Sequence, residues 1–206
     1  MILYASIGPN PRVVTMFAAE KGLSLETRSV DIIKGENREE GGDYLRVHSR
    51  GTTPALVLDD GSTLTETIAI CEYLEEVQPE PPLIGSTPEE RARTRMWVRR
   101  IDLTVTEPMT VGFRGVEGRP MFEPRMRVVG PEAAADLKAI AADGLAAIER
   151  DLGGREWIAD DRFTLADIAL FSFVEFGAMV GQPLAGDMPR LAAWRARVAA
   201  RPSAAG

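Results

Sequence analysis

The feature that most constrains this chain is a change of pattern across residues 78–87, a Pro-rich stretch beginning Gln78-Pro79-Glu80-Pro81-Pro82. Before it, strand and helix signals alternate. After it, no strand pattern occurs. Residues 1–5 read as a short apolar strand, and Ser6-Ile7-Gly8-Pro9-Asn10-Pro11 as the turn into a helix, with Asn10 as N-cap and Pro11 at the first helical position. Val13, Val14, Phe17 and Ala18 recur at helical spacing, and Gly22 ends that helix. Residues 25–32 read as a second strand, and the polar run Lys34 to Gly42 as a loop or irregular helix. Thr53 to Leu64 gives strand, tight turn at Asp60-Gly61, and strand. A helix then runs from about Glu66 to Val77, with Ile68, Cys71, Tyr73 and Leu74 placed to pack. This order predicts a small mixed α/β layer domain over residues 1–77, a linker over 78–87 and an all-α domain over 88–206.

In the second domain, Thr87, Pro88 and Glu90 form a capping box that opens a long helix, with Met96, Val98, Ile101, Val105 and Met109 at its apolar positions. Gly115 to Gly130 reads as a long loop. Pro131 opens another helix, carrying Leu137, Ile140, Ala141, Leu145, Ile148 and Leu152 on one face and stopped by Gly153-Gly154. Thr164 to Asp167 caps a helix to about Val180 that is apolar nearly all round, the pattern of a helix running through the middle of a domain. A short helix over Pro189 to Ala200 follows.

Composition narrows the chemistry. The chain has 206 residues with one His, His48, and one Cys, Cys71. A four-ligand Cys/His zinc site and an intramolecular disulfide are both excluded, and any Ser-His-Asp or Cys-His mechanism would have to pass through His48. An enzyme of this composition is expected to borrow its reactive group from a bound molecule. The net charge of −7 argues against a nucleic-acid binder. No apolar run reaches the roughly 20 residues of a membrane span, and the start, Met1-Ile2-Leu3-Tyr4, carries no export signal, so the expected location is the cytoplasm.

Four segments together resemble the cytosolic glutathione transferase family, as in its bacterial members. The first is Leu3-Tyr4 through Pro9-Asn10-Pro11-Arg12 to Gly22. The second is Gly51-Thr52-Thr53-Pro54-Ala55-Leu56, similar to the family's G-x-x-P-x-L with a cis proline. The third is Leu64-Thr65-Glu66-Thr67-Ile68-Ala69-Ile70-Cys71-Glu72-Tyr73-Leu74, with Thr where the family has Ser. The last is Phe163-Thr164-Leu165-Ala166-Asp167 with the end Pro189-x-Leu191-x-x-Trp194 and Arg201-Pro202. The resemblance covers nearly the whole chain. It implies a thioredoxin-like N-terminal domain, an all-helical C-terminal domain, glutathione as cosubstrate, a small hydrophobic electrophile as second substrate, and a homodimer.

Residue by residue, the resemblance implies that Thr53, ahead of a cis Pro54, holds the cysteinyl backbone of glutathione in a strand-like mode. The helix start at Glu66-Thr67 would hold the γ-glutamyl end, its carboxylate on Thr67 and the backbone N–H groups and its ammonium on Glu66. Arg38, or Lys34, would meet the glycyl carboxylate. For activating the thiol, Gly8 stands where many members have Ser, which leaves Asn10, Ser6 and Tyr4 as candidates. Asn10 is placed best, beside the first N–H groups of a helix. No Cys lies in this loop, which disfavours the thiol-reducing branches. Met109 and Phe113, with Met121 and Phe122 nearby, are the expected lining of the second-substrate pocket. Cys71 reads as a small core residue, His48 as a surface-loop residue, and Thr164 and Asp167 as a folding device. The alternative reading is a transferase-like binding or protein-interaction module without catalysis, which the missing Ser motivates.

Overall fold

The computed structural model describes residues 1–205, which divide into two compact units, Met1–Leu83 and Ile84–Ala204. The first unit runs β1 (Ile2–Ala5), α1 (Pro9–Glu20), β2 (Glu26–Ser29), a 3-10 turn (Glu36–Arg38), α2 (Asp43–Val47), β3 (Ala55–Val57), β4 (Thr63–Thr65) and α3 (Thr67–Val77). The sheet order is β2-β1-β3-β4, with β1 parallel to β2 and antiparallel to β3, and β3 antiparallel to β4. Leu3, Leu56 and Leu64 lie in one register row; Tyr4, Ala55 and Thr65 lie in the next and face the opposite side. Leu3 and Leu56 are fully buried, as are Val14 and Phe17 of α1 and Ile70, Cys71 and Leu74 of α3. Tyr4 and Ala55 pack instead with Val30, Tyr44 and Val47. Strand, helix and hairpin occur in the expected order.

Three local readings change. Helix α1 starts at Pro9, with Gly8 as its cap, so Asn10 sits inside the first turn and is not the N-cap. Gly8 has φ 119° and ψ 172°, a region essentially confined to glycine, and this sharp entry moves the helix start two residues forward. The second strand shrinks to Glu26–Ser29, all exposed, because it is a sheet edge with no covered face to demand alternation. The region after Lys34 holds the 3-10 turn and α2, whose only buried residue is Tyr44. Such a short helix carries too little periodicity to be read from sequence.

His48 is buried rather than a surface residue, at 8 % exposure. Its Nε2 lies 2.8 Å from the Thr52 hydroxyl, and its ring packs edge-on against Tyr44. The Tyr44 phenol, pushed up to about 12 by burial, donates to the Thr52 carbonyl. Asn37 adds a third tie, its Nδ2 donating to the Gly51 carbonyl at 2.6 Å. The segment entering β3 is therefore clamped from beneath by side chains of α2, its C-cap and the 3-10 turn.

The second clamp is ionic. Lys21, just after α1, is fully buried and ion-paired with buried Glu75 of α3. Its ammonium also donates to the Pro79 carbonyl at 3.1 Å and the Pro81 carbonyl at 2.5 Å. Three acceptors match the three donors of an ammonium group, so a charge that burial would otherwise penalise ties α1, α3 and the start of the Pro-rich segment together.

The second unit contains α4 (Pro88–Ile101), a π-helical turn (Asp102–Thr106), α5 (Glu107–Gly115), α6 (Arg119–Phe122), α7 (Pro131–Leu152), α8 (Leu165–Met179) and α9 (Pro189–Ala199). The expected capping box of Thr87 and Glu90 opens α4. The buried stripe of α4 is Thr94, Trp97, Val98 and Ile101, and Met96 is 40 % exposed, one position off that stripe. Pro108 has no N–H to give the carbonyl four residues back, and Thr104, Thr106 and Thr110 hydroxyls bond to carbonyls of the preceding turn. Both effects loosen the helical ladder, and the long helix accordingly widens into the π turn. Gly144 of α7 packs against that turn, where a Cβ would lie 2.3 Å from the Thr104 carbonyl oxygen. Ile140 of α7 is exposed, and the expected Gly115–Gly130 loop contains α6. Helix α8 is buried along nearly its whole length. Asp167 on it accepts from Ile158 N, Thr164 N, Thr164 Oγ1 and Trp194 Nε1, at 2.9 to 3.0 Å, locking α8 to α9 and to the loop before it.

Two outcomes follow from these clamps. Lys21→Met leaves Glu75 buried without its cation and is expected to lower unfolding free energy by about 3–5 kcal/mol. Lys21→Met combined with Glu75→Leu should recover much of that loss in urea unfolding; a double variant no more stable than the single one would contradict the clamp. For His48, burial, helped by Arg50 and Arg38 and opposed by Glu66, lowers the folded pKa below 6.5. The unfolded chain then binds the proton more readily, so stability is full above pH 6.5 and falls as pH drops from there through the lowered value. His48 is the single histidine, so thermal unfolding followed across this window should show that loss in the wild type and a flatter profile in His48→Asn.

Candidate functional site

The sheet register gathers three loop segments at one end. Strand β1 finishes there at Ala5, β3 begins there at Ala55 opposite Tyr4, and β4 finishes there at Thr65 opposite Ala55. Ser6 to Asn10, Thr53-Pro54 and Glu66-Thr67 are the segments that continue from these ends. The Thr67 hydroxyl donates to Asn10 Oδ1 at 3.1 Å, joining the starts of α1 and α3. With its oxygen so occupied, the Asn10 amide keeps its NH2 group as a donor.

The two helix starts differ in what they offer. In α3, the Ile70 N–H bonds to the Glu66 carbonyl, and the Thr67, Ile68 and Ala69 N–H groups have no backbone partner among the described residues. Three N–H groups and the helix dipole make this an anion seat. In α1, Pro9 and Pro11 have no N–H, so within its first three positions only Asn10 contributes one. The α1 start therefore offers a single backbone donor plus the Asn10 amide.

The Thr53-Pro54 peptide is cis. Thr53 N–H and C=O pair with no other backbone group among the described residues, while Thr52 beside it is held by Tyr44 and His48. Glu66 has φ 67° and ψ 117°, the one positive φ outside glycine among the described residues. Such a backbone costs on the order of 1–3 kcal/mol and persists where the surroundings enforce it. Here β4 ends and α3 begins on either side of it, and its carboxylate is exposed.

The remaining candidates are placed as follows. Ser6 is half-buried just after β1. Tyr4 is not brought to the Asn10–Thr67 pair: its ring centroid is 5.7 Å from that of Tyr44, and its hydroxyl accepts from Arg28 Nη1 at 3.1 Å. Arg38 is exposed at the end of the 3-10 turn, close enough to act electrostatically on His48. Lys34 is held by Asp31 at 3.0 Å. Cys71 is fully buried, and burial, reinforced by Glu72 and Glu75, pushes its thiol far above the ordinary range, which leaves it inert. In the helical unit Met109 is a core residue at 1 % exposure, its carbonyl accepting from Gln182 Nε2, so it backs a surface rather than lining one. Phe113 is half-buried, edge-on to Phe122 at 6.1 Å and to Phe176 at 5.2 Å. Sequence reasoning missed Tyr44 and the supporting role of His48, which hold the segment before Pro54; their signal is a buried aromatic and a lone histidine beside a short helix, too weak to read without the fold.

Comparison with known proteins gives these features a family. Residues 7–77 match the family model for the glutathione S-transferase N-terminal domain, and residues 121–202 match that for the glutathione S-transferase C-terminal domain. Glutathione S-transferase 2 of Saccharomyces cerevisiae is 30% identical over 98% of this chain and 87% of its own length. A solved glutathione S-transferase domain-containing protein from Marinobacter aquaeolei is 34% identical with a TM-score of 0.90, covering 99% of this chain and 100% of that one. A sphingomonad glutathione S-transferase, solved in complex with glutathione, is 27% identical with a TM-score of 0.78, covering 100% of this chain and 96% of that one. With both halves matched in order and a relative aligned along nearly the full length, this chain belongs to the glutathione S-transferase family.

Proposed function

We propose that this protein is a glutathione transferase that binds glutathione, stabilises its thiolate and directs it at a small hydrophobic electrophile. The observation that carries the reading is the single end of the sheet at which a peptide-like acceptor and donor pair on Thr53, an anion seat at the start of α3 and the Asn10–Thr67 pair converge. The γ-glutamyl carboxylate sits on the Thr67, Ile68 and Ala69 N–H groups, the Thr67 hydroxyl turns its one hydrogen from Asn10 to that carboxylate on binding, and the ammonium faces Glu66. The cysteinyl N–H and C=O pair with Thr53 as an added strand does. Arg38 is the basic residue for the glycyl carboxylate, since Lys34 is already held by Asp31.

The sulfur then lies toward the start of α1. Gly8 cannot be replaced by a serine without strain, because its backbone lies in a glycine-only region. Thiolate stabilisation falls to the Asn10 N–H and amide, which lower the thiol pKa by hydrogen bonding to the charged form. Thiolate sulfur attacks the electrophilic carbon, a C–S bond forms, the leaving group departs with its electron pair, and the thiol proton has already gone to solvent. The protein's share is a lower thiol pKa and the held proximity of two reactants.

Residues 1–77 are assigned to glutathione, 78–87 to the linker and 88–206 to the electrophile, with Phe113 presenting an aromatic surface backed by Met109. A cytoplasmic homodimer engaged in detoxification completes the proposal. Exposed Met96, Leu103 and Ile140 on α4, the π turn and α7 support self-association. Sedimentation equilibrium should return twice the 22.4 kDa chain mass, and a monomer at micromolar concentration would count against the dimer.

Calorimetric titration with glutathione tests the site. Thr67→Ala, which removes one charge-assisted hydrogen bond to the bound carboxylate, is expected to weaken binding by roughly 10- to 100-fold, about 1.5–3 kcal/mol. Asn10→Ala should leave most of the affinity and raise the bound thiol pKa by about one unit, read as thiolate absorbance against pH. An unchanged thiol pKa would shift activation to Ser6 or to backbone alone. Tight glutathione binding without conjugation of any electrophile would favour the non-catalytic module.

A further inference from the structure

The helical unit carries a cation that its own fold does not neutralise. Arg114 lies in the last turn of α5, half-buried, with its guanidinium 5.3 Å from the centre of the Phe122 ring. Among the described residues its guanidinium makes no ion pair within 4.0 Å and no side-chain hydrogen bond. The acidic residues that follow it in the chain are engaged elsewhere: Glu117 pairs with Lys138 and Glu123 with Arg119, each at 2.5 Å. Glu107, two turns earlier on α5, acts on Arg114 only through its field, and burial weakens the guanidinium's hold on its proton. A guanidinium presents five N–H donors in a planar fork. Removing it partly from water with no acceptor is unfavourable, and a contact with one ring recovers only part of that cost.

Beside it are three partly exposed rings in edge-to-face contact, Phe122 on Phe113 and Phe113 on Phe176. We propose that Arg114 is a specificity-determining residue that receives a carboxylate carried by the electrophile, so that the preferred acceptors are aromatic or conjugated compounds bearing an anionic group. This rests on the transferase reading above. The ring of such a compound packs against Phe113 and Phe122, and its carboxylate takes the fork of Arg114 with two parallel hydrogen bonds. Glu107 repels an anion from the other end of the same helix, which orients the carboxylate toward the Gly115 end of α5.

The test uses the whole protein, glutathione and two matched acceptors, 4-chloro-3-nitrobenzoate and its methyl ester. In both, the thiolate sulfur bonds to the ring carbon that bears chlorine, the C–Cl bond breaks, and chloride leaves with the electron pair. Each kcat/KM is divided by the uncatalysed rate constant with glutathione, since the ester is intrinsically the more reactive. On that scale the wild type is expected to prefer the acid by about tenfold or more. Arg114→Gln should bring the acid-to-ester ratio close to one, mainly through KM for the acid, with the ester reaction reporting that the variant is folded. A wild-type ratio near one, which needs no variant, or a ratio unchanged in Arg114→Gln overturns the assignment of Arg114 alone. No turnover of either acceptor, with no heat on titrating glutathione, overturns the transferase reading and this proposal with it.

Discussion

The antiparallel register of β1, β3 and β4 is the constraint on which the candidate site depends. Tyr4, Ala55 and Thr65 are paired across the sheet, so the chain leaves β1, enters β3 and leaves β4 at one common end. A one-residue slip would turn Leu3, Leu56 and Leu64 to the other face and expose part of the core. The same burial that fixes the register therefore fixes the meeting of Asn10, Thr53 and Thr67, residues more than forty positions from Asn10 in the cases of Thr53 and Thr67. The site's geometry is a by-product of core packing, reinforced by clamps that lie outside it. Lys21 holds α1 to α3, and Tyr44, His48 and Asn37 hold the segment before Pro54.

Much of this was legible in the sequence where local chemistry dominates. Asp60-Gly61 between the apolar strand Ala55–Val57 and the β-branched strand Thr63–Thr65 specified the hairpin, and Thr87-Glu90 and Thr164-Asp167 specified two helix starts that occur as expected. What was not legible depends on partners distant in sequence. Nothing near His48 signals that Tyr44 will cover it and that its ring nitrogen will share a hydrogen bond with the Thr52 hydroxyl. Met96 and Trp97 are both apolar and adjacent, and only the packed helices decide which one is buried. The edge position of β2 removes the alternation by which a strand is recognised. The site was legible as a set of segments, through their resemblance to a family, and not as a set of contacts: the Thr67–Asn10 hydrogen bond spans 57 positions.

The helical unit shows the same division. Two of its buried carboxylates are met within the fold: Asp167 receives four hydrogen bonds, and Glu149 accepts from the backbone of Arg190 and Leu191 at the start of α9. The Arg114 guanidinium, packed on the Phe122 ring at the edge of the aromatic cluster, is met there by a ring and by no carboxylate among the described residues.

The start of α1 brings sequence and chemistry together. Read from sequence, Asn10 has two roles that compete for one side chain, capping the helix and facing a sulfur. The fold removes the competition by moving the cap to Gly8, whose glycine-only backbone makes the turn without a side chain. The flanking prolines then remove two of the N–H groups that an anion at this helix start would otherwise find, while α3 keeps three. On the proposed reading a carboxylate, with its full charge and several acceptor sites, goes to α3, and a thiolate, larger and more weakly accepting, goes to α1, where the Asn10 N–H and amide are its donors. A chain with a single histidine, buried and engaged, and a single cysteine, buried and inert, has no thiol or imidazole of its own at this place. The Asn10 N–H and amide that remain are suited to a sulfur brought in from outside.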